Sequence, residues 1–128
     1  MTEKKRRQFG LWDSPITASS LAAGRRLDGV AWDTDGETVV WLEGRSGHGV
    51  LVSQSSLGDA ACDLTSDLSV RAKVGYGGGD STVADGHVYF AAHLNGQLYR
   101  QRLSEGAARP VTSSFGSACS PAVSPDGA

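Results

Sequence analysis

Three groups of residues in this chain have the types that do chemistry: Ser46 with His48, the run Gly75-Tyr76-Gly77-Gly78-Gly79-Asp80, and the histidines His48, His87 and His93. A serine nucleophile on a hydrolase elbow needs Gly-x-Ser-x-Gly, which holds the serine on a strained strand-to-helix turn with its hydroxyl exposed. Gly44-Arg45-Ser46-Gly47-His48 misses that pattern, because His48 stands where the final glycine belongs. No strand–helix alternation surrounds the segment, so it reads as a hairpin loop between two strands. The chain therefore carries no candidate catalytic residue of its own.

The glycine run invites a phosphate-loop or dinucleotide reading, and its content excludes both. Asp80 occupies the place of the last glycine of Gly-x-Gly-x-x-Gly, and no Gly-Lys-Ser/Thr follows. No helix begins there whose N-terminus would take a phosphate. A glycine run entering a strand marks a bulge or a close backbone approach. His87 and His93 have no cysteine or carboxylate at metal-ligand spacing, so the histidines read as surface or loop residues with no metal. Trp41, Tyr89 and Phe90 lie inside apolar runs and are assigned to packing between repeated units rather than to a ligand platform.

The elements that must hold these residues repeat. Asp35-Gly36 opens into Thr38-Val39-Val40-Trp41-Leu42, then Gly49-Val50-Leu51-Val52, then Asp63-Leu64-Thr65. Asp85-Gly86 opens into His87-Val88-Tyr89-Phe90, then Gly96-Gln97-Leu98-Tyr99, then Pro110-Val111-Thr112. The matching parts are offset by 50, 47 and 47 residues, and Asp126-Gly127 restarts the turn 41 residues after Asp85-Gly86. A unit of this length, with one Asp-Gly turn and three or four short strands, is the signature of a β-propeller blade. The fold class is all-β: a partial β-propeller of two four-stranded antiparallel blades plus the start of a third. Residues 1–26 form an N-terminal segment whose one helix spans about 17–23, capped by Thr17 and stopped by Gly24. Residues 27–128 form the incomplete propeller, with blades at about 27–65 and 79–112 and a partial blade at 118–128. Strands are expected near 38–43, 49–54, 61–65, 81–84, 87–92, 97–103 and 109–112. The tail from Ser120 to Gly127 reads as one strand and a turn. Since a propeller needs at least four blades to close, the chain reads as a piece of a larger protein.

A net charge of −2 gives no electrostatic case for nucleic acid or an anionic membrane. No apolar stretch reaches the roughly 18–20 residues of a membrane-crossing helix. Cys62 and Cys119 lie 57 residues apart without a Cys-x-x-Cys spacing, and they read as buried free thiols of a cytosolic protein. Lys4-Lys5-Arg6-Arg7-Gln8-Phe9 has the look of a twin-arginine export signal. The apolar region of about 7–15 residues that export needs is interrupted by Asp13 and Pro15. The expected location is the cytoplasm.

Several segments, taken in order, resemble the bacterial prolyl-oligopeptidase-type serine peptidases of the acylaminoacyl-peptidase and dipeptidyl-peptidase-like branch. They are Phe9-Gly10-Leu11-Trp12-Asp13-Ser14-Pro15-Ile16-Thr17, Trp41-Leu42-Glu43-Gly44-Arg45, Asp63-Leu64-Thr65, Val70-Arg71-Ala72-Lys73-Val74-Gly75-Tyr76-Gly77-Gly78-Gly79, Val88-Tyr89-Phe90 and Leu98-Tyr99-Arg100-Gln101. The resemblance implies an N-terminal propeller that admits short peptides to a C-terminal α/β-hydrolase domain with a Ser-Asp-His triad, and no cofactor. That hydrolase domain would be the propeller's partner within the parent chain, and a short peptide its substrate. Arg71, Tyr76 and Asp80 are the substrate-channel candidates. Many relatives carry His-Glu before Tyr-Gly-Gly-Gly. Here Val74 is followed by Gly75 alone, so a substrate contact by that glutamate has no counterpart. The alternative is a non-catalytic TolB-like propeller serving as a protein-interaction module.

Overall fold

The computed structural model describes residues 6–11, 14–22, 24–56, 58–71, 79–114 and 116–127. A five-residue helix, α1 (Ala18–Ala22), is the one helix among them. The Thr17 hydroxyl accepts from the Ser20 amide at 3.0 Å, and the Gly24 amide returns to the Leu21 carbonyl, so the cap and stop of the sequence operate as expected.

Eight strands follow: β1 (Arg26–Trp32), β2 (Thr38–Arg45), β3 (His48–Ser55), β4 (Cys62–Asp63), β5 (Ser81–Ala84), β6 (His87–Ala91), β7 (Leu98–Arg102) and β8 (Arg109–Pro110). They form two four-stranded antiparallel sheets, each in plain chain order, β1-β2-β3-β4 and β5-β6-β7-β8. Two tight hairpins fix the register. Ser46 and Gly47 take φ of 50° and 82° between β2 and β3, and Asp85 and Gly86 take 50° and 71° between β5 and β6. Paired positive φ values give the turn whose twist matches antiparallel strands. Asp35-Gly36 is built differently, in a longer loop where the Asp35 carboxylate accepts the Glu37 and Thr38 amides. The two Asp-Gly motifs thus match in sequence and differ in turn geometry.

The outermost strands are shorter than expected, for a chemical reason that recurs in both sheets. In the first, the Leu64 amide bonds the Leu51 carbonyl, and the Leu51 amide donates to the Thr65 hydroxyl at 2.9 Å. In the second, the Val111 amide bonds the Leu98 carbonyl, and the Leu98 amide donates to the Thr112 hydroxyl at 3.0 Å. A threonine side chain replaces the backbone acceptor at the end of each ladder. All three matched positions carry the 47-residue offset of the sequence repeat.

Alternation along the strands divides the faces. Val40, Leu42 and Leu51 of the first sheet meet Val88 and Phe90 of the second, with Val70 between them, in one buried cluster. Tyr99 stacks on Phe90 with ring centroids 5.9 Å apart. Burying a side chain such as Phe90 or Leu51 contributes about 1.5–3 kcal/mol. Trp41 lies on the face of β2 away from Val40 and Leu42. It shares that face with Glu43 and Arg45, and its indole N–H donates to Glu43 at 3.0 Å. Tyr89 pairs with Arg100 and is half-buried, on the face of β6 away from Val88 and Phe90.

Three polar joints tie the sheets together. The Ser69–Arg71 segment crosses between them: Val70 N–H bonds the Gly49 carbonyl, and Arg71 N–H bonds the Ala91 carbonyl. At the turns, the buried Asp33 carboxylate accepts the Gly86 amide, while the Thr34 hydroxyl accepts the Asp85 amide, each at 2.9 Å. Gln101 donates to the Leu64 carbonyl at 2.6 Å. The crossing over Gly49 recurs at Gly96, whose carbonyl accepts the Ala118 amide at 2.8 Å.

One further expectation is corrected. Cys62 and Cys119 are free, but Cys62 is exposed on the two-residue edge strand β4 and Cys119 is only half-buried. Residues 120–124 take part in no ladder within the described residues, and Ser120 takes φ of 50°. The turn itself is present, with the Gly127 amide on the Ser124 carbonyl and Gly127 at φ 73°.

Candidate functional site

A cavity of about 260 Å³ opens where the first strands of the two sheets, β1 and β5, come together. Arg26 and Asp28 enter it from β1, two residues apart and so on one face, with a 3.4 Å ion pair between them. Gly44 of β2 makes room, because any side chain there would press on the Cβ of Arg26. The β2–β3 turn supplies Ser46, the start of β3 supplies His48, and Arg71 and Asp80 close the other side.

Arg71 and Asp80 are nine positions apart in the chain, and one residue pins both. The Ala91 carbonyl accepts the Arg71 amide at 3.0 Å, and the Ala91 amide donates to the Asp80 carbonyl at 2.9 Å. The end of β6 therefore places the exposed Arg71 and the half-buried Asp80 on the rim of the same cavity. Tyr76, the third channel candidate, lies outside the described residues, as does most of the glycine run.

The cavity offers guanidinium and carboxylate groups side by side, which suits a ligand carrying both charges. Ser46 sits in a tight hairpin turn, and among the described residues no hydrogen bond joins it to His48. His48 differs from its expected surface or loop setting: it begins β3, and its Nε2 is buried with no hydrogen-bond partner among the described residues. Among those residues there is also no group of three or more side chains able to hold a metal ion, and no helix long and apolar enough to cross a membrane.

Behind the cavity, on the far face of β2, stands a charge network that the sequence reading did not find. Arg45 grips both Asp63 oxygens, at 2.6 and 2.8 Å, and reaches Glu43 at 2.8 Å. Arg25 approaches the same Glu43 oxygen at 3.5 Å. Hydrogen bonds from Trp41 and then Arg45 hold the Glu43 carboxyl below its ordinary range. The Arg45 guanidinium does the same for Asp63, and the two carboxylates raise the pKa of Arg45. Trp41, Glu43 and Arg45 follow one another at a spacing of two, a signal legible in the strand pattern. The contribution of Asp63 was not, because it arrives from β4, 18 residues away from Arg45.

No family model matches the chain, and no curated protein matches it. A solved structure does. The chain superposes on a Mycobacterium tuberculosis puromycin-hydrolysing peptidase with a TM-score of 0.72 and 25% identity, over 97% of its own length. The chain is similar to part of a peptidase. It spans 20% of the length of that protein, so the likeness concerns one stretch of a much longer molecule. It supports the prolyl-oligopeptidase-like peptidases broadly as the setting of this chain and agrees with the all-β expectation.

Proposed function

We propose that the two sheets are consecutive blades of a β-propeller, and that this propeller is the gating part of a serine oligopeptidase or exopeptidase of the prolyl-oligopeptidase type. The reading rests chiefly on the superposition over 97% of this chain with a stretch of a peptidase. The repeated threonine closure at Thr65 and Thr112 supports the blade assignment, as does the repeated crossing over Gly49 and Gly96. In a propeller the first strand of each blade lines the channel, which would put β1, β5 and the cavity between them beside the path of a substrate. The residues around that cavity then act on a short peptide: Asp80 and Asp28 face its amino end, and Arg71 and Arg26 its carboxylate. Hydrolysis belongs to an α/β-hydrolase domain elsewhere in the parent protein, in the cytoplasm, with no cofactor.

The purified chain is expected to release nothing from aminoacyl or acylaminoacyl chromogenic substrates, and turnover by it alone would overturn the division of labour. In the parent enzyme, Arg71→Ala is expected to raise KM for peptides with a free carboxylate and to leave KM for uncharged small esters unchanged. Equal changes for both substrates would remove Arg71 from the channel.

A further inference from the structure

The cavity between β1 and β5 holds an ion pair within it, and that pair sets which end groups a ligand must bring. Arg26 and Asp28 pair with each other at 3.4 Å, along β1 rather than across the sheet. The register puts Gly44 opposite Arg26 and Leu42 opposite Asp28, and neither carries a charge. Gly44 seats the arginine: a Cβ built there would lie 3.3 Å from the Arg26 Cβ and 4.0 Å from its Nε. The Arg26 side chain therefore lies back over β2, on the same face as Asp28.

The two side chains are 71% and 57% exposed, so water screens their attraction, which is worth about fivefold in an equilibrium at most. A ligand with an ammonium and a carboxylate replaces this one weak pair with two charge-assisted contacts. A ligand with a single charge leaves Arg26 or Asp28 without its partner, or binds without them. Among the described residues the charged side chains around the cavity are Arg26, Arg71, Asp28 and Asp80, two of each sign, so no net charge favours a lone anion or cation. Length is limited too. From Arg26 to Asp28 the strand rises about 6.4–6.8 Å, and an extended dipeptide spans about 6.6–7.2 Å. The volume of about 260 Å³ is below the roughly 300–1,000 Å³ of a drug-sized ligand site.

We infer, on the reading of this cavity as a place for short peptides, that it selects free-ended dipeptides by exchange of this ion pair. The ligand's ammonium displaces Arg26 from Asp28, and the released guanidinium takes the ligand's carboxylate. Arg26 and Asp28 act together as specificity-determining residues. Blocking either end of the peptide leaves their pair in place and forfeits both contacts.

Heat titrations of the 128-residue chain with Ala-Ala, N-acetyl-Ala-Ala, Ala-Ala amide and tetra-alanine test this. Ala-Ala should bind about tenfold or more tightly than each of the other three. Asp28→Asn should weaken Ala-Ala about tenfold or more. It should tighten N-acetyl-Ala-Ala roughly two- to fivefold, because Arg26 is then free to take a carboxylate. Arg26→Gln should do the converse, weakening Ala-Ala and tightening Ala-Ala amide. A merely structural loss would not move two ligands in opposite directions. Three results would overturn the inference: no heat from Ala-Ala beyond dilution, equal binding of Ala-Ala and its blocked forms, or variants that shift every ligand the same way. Binding needs no hydrolase domain, so the two readings fail separately. Any of those three results alongside a parent protein labelled by a fluorophosphonate removes the exchange and leaves the peptidase. The expected pattern alongside an unlabelled parent supports the exchange and removes the peptidase.

Discussion

Replacing Gly49 with alanine tests the joint on which the two sheets depend. Gly49 has no unusual φ, so conformational freedom is not the reason for a glycine there. Its constraint is space: an added Cβ would land on the carbonyl of Val70, and the neighbour is backbone, which cannot swing aside. Val70 is itself fully buried in the shared core. To admit the methyl group the crossing segment must lift, weakening the Val70-to-Gly49 bond at 2.9 Å and the Gly49-to-Ser69 bond at 3.0 Å. Overpacking of this kind costs about 1–3 kcal/mol, and each hydrogen bond about 0.5–1.5 kcal/mol. Gly49→Ala should therefore destabilise by about 2–4 kcal/mol, a large share of the roughly 5–15 kcal/mol available to a domain. Urea unfolding followed by tryptophan fluorescence gives the number. Gly36→Ala is the control: its φ of 70° brings backbone strain, and nothing lies within 4 Å of the new methyl. That strain alone costs about 1–2 kcal/mol. A loss at Gly49 no larger than at Gly36 would refute the close-approach argument.

Three further outcomes are expected. Asp33→Ala removes the acceptor of the Gly86 amide from a buried position, and should lower stability by about 1–3 kcal/mol in the same urea assay. Thr65→Val and Thr112→Val each leave a strand amide without its acceptor. Thr65→Val should cost more, about 1–3 kcal/mol, because Thr65 is 3% exposed whereas Thr112 is only half-buried; equal costs would count against this. Glu43 and Asp63 have carboxyl pKa values depressed below the ordinary value of about 4, so their contribution is complete above that pH and is lost as pH falls through the depressed values. Acid unfolding of Arg45→Met should consequently depend less on pH below about 4 than that of the unsubstituted chain, and identical acid profiles would show that the network does not act in this way.

The repeat was legible because its physics is local. Alternating apolar residues, turn dipeptides and the threonine two residues past the last strand of each unit all sit at fixed offsets in the chain. The placement of β2, β3, β5 and β7 followed from that pattern to within a few residues. The sites were less legible because they are assembled from several strands. Arg71 and Asp80 were singled out as neighbours of a glycine run, yet what brings them together is Ala91 of the following hairpin. Arg26 and Asp28 went unnoticed, although their spacing of two on a strand was readable. The apolar run around Trp41 does not say which face of the strand it takes. The strand places it away from Val40 and Leu42, against Glu43, since residues adjacent in a strand point opposite ways.

The proposal that this chain is part of a serine peptidase is tested most directly by asking what molecule carries it in the cell. An antibody raised against the 128-residue chain would be used to recover its parent from cell extract, after treatment with a fluorophosphonate that labels activated serines. A labelled protein several times larger than 13.3 kDa is expected, in keeping with the one-fifth share of the peptidase that this chain covers. Recovery of an unlabelled protein, whether of 13.3 kDa or larger, would contradict it.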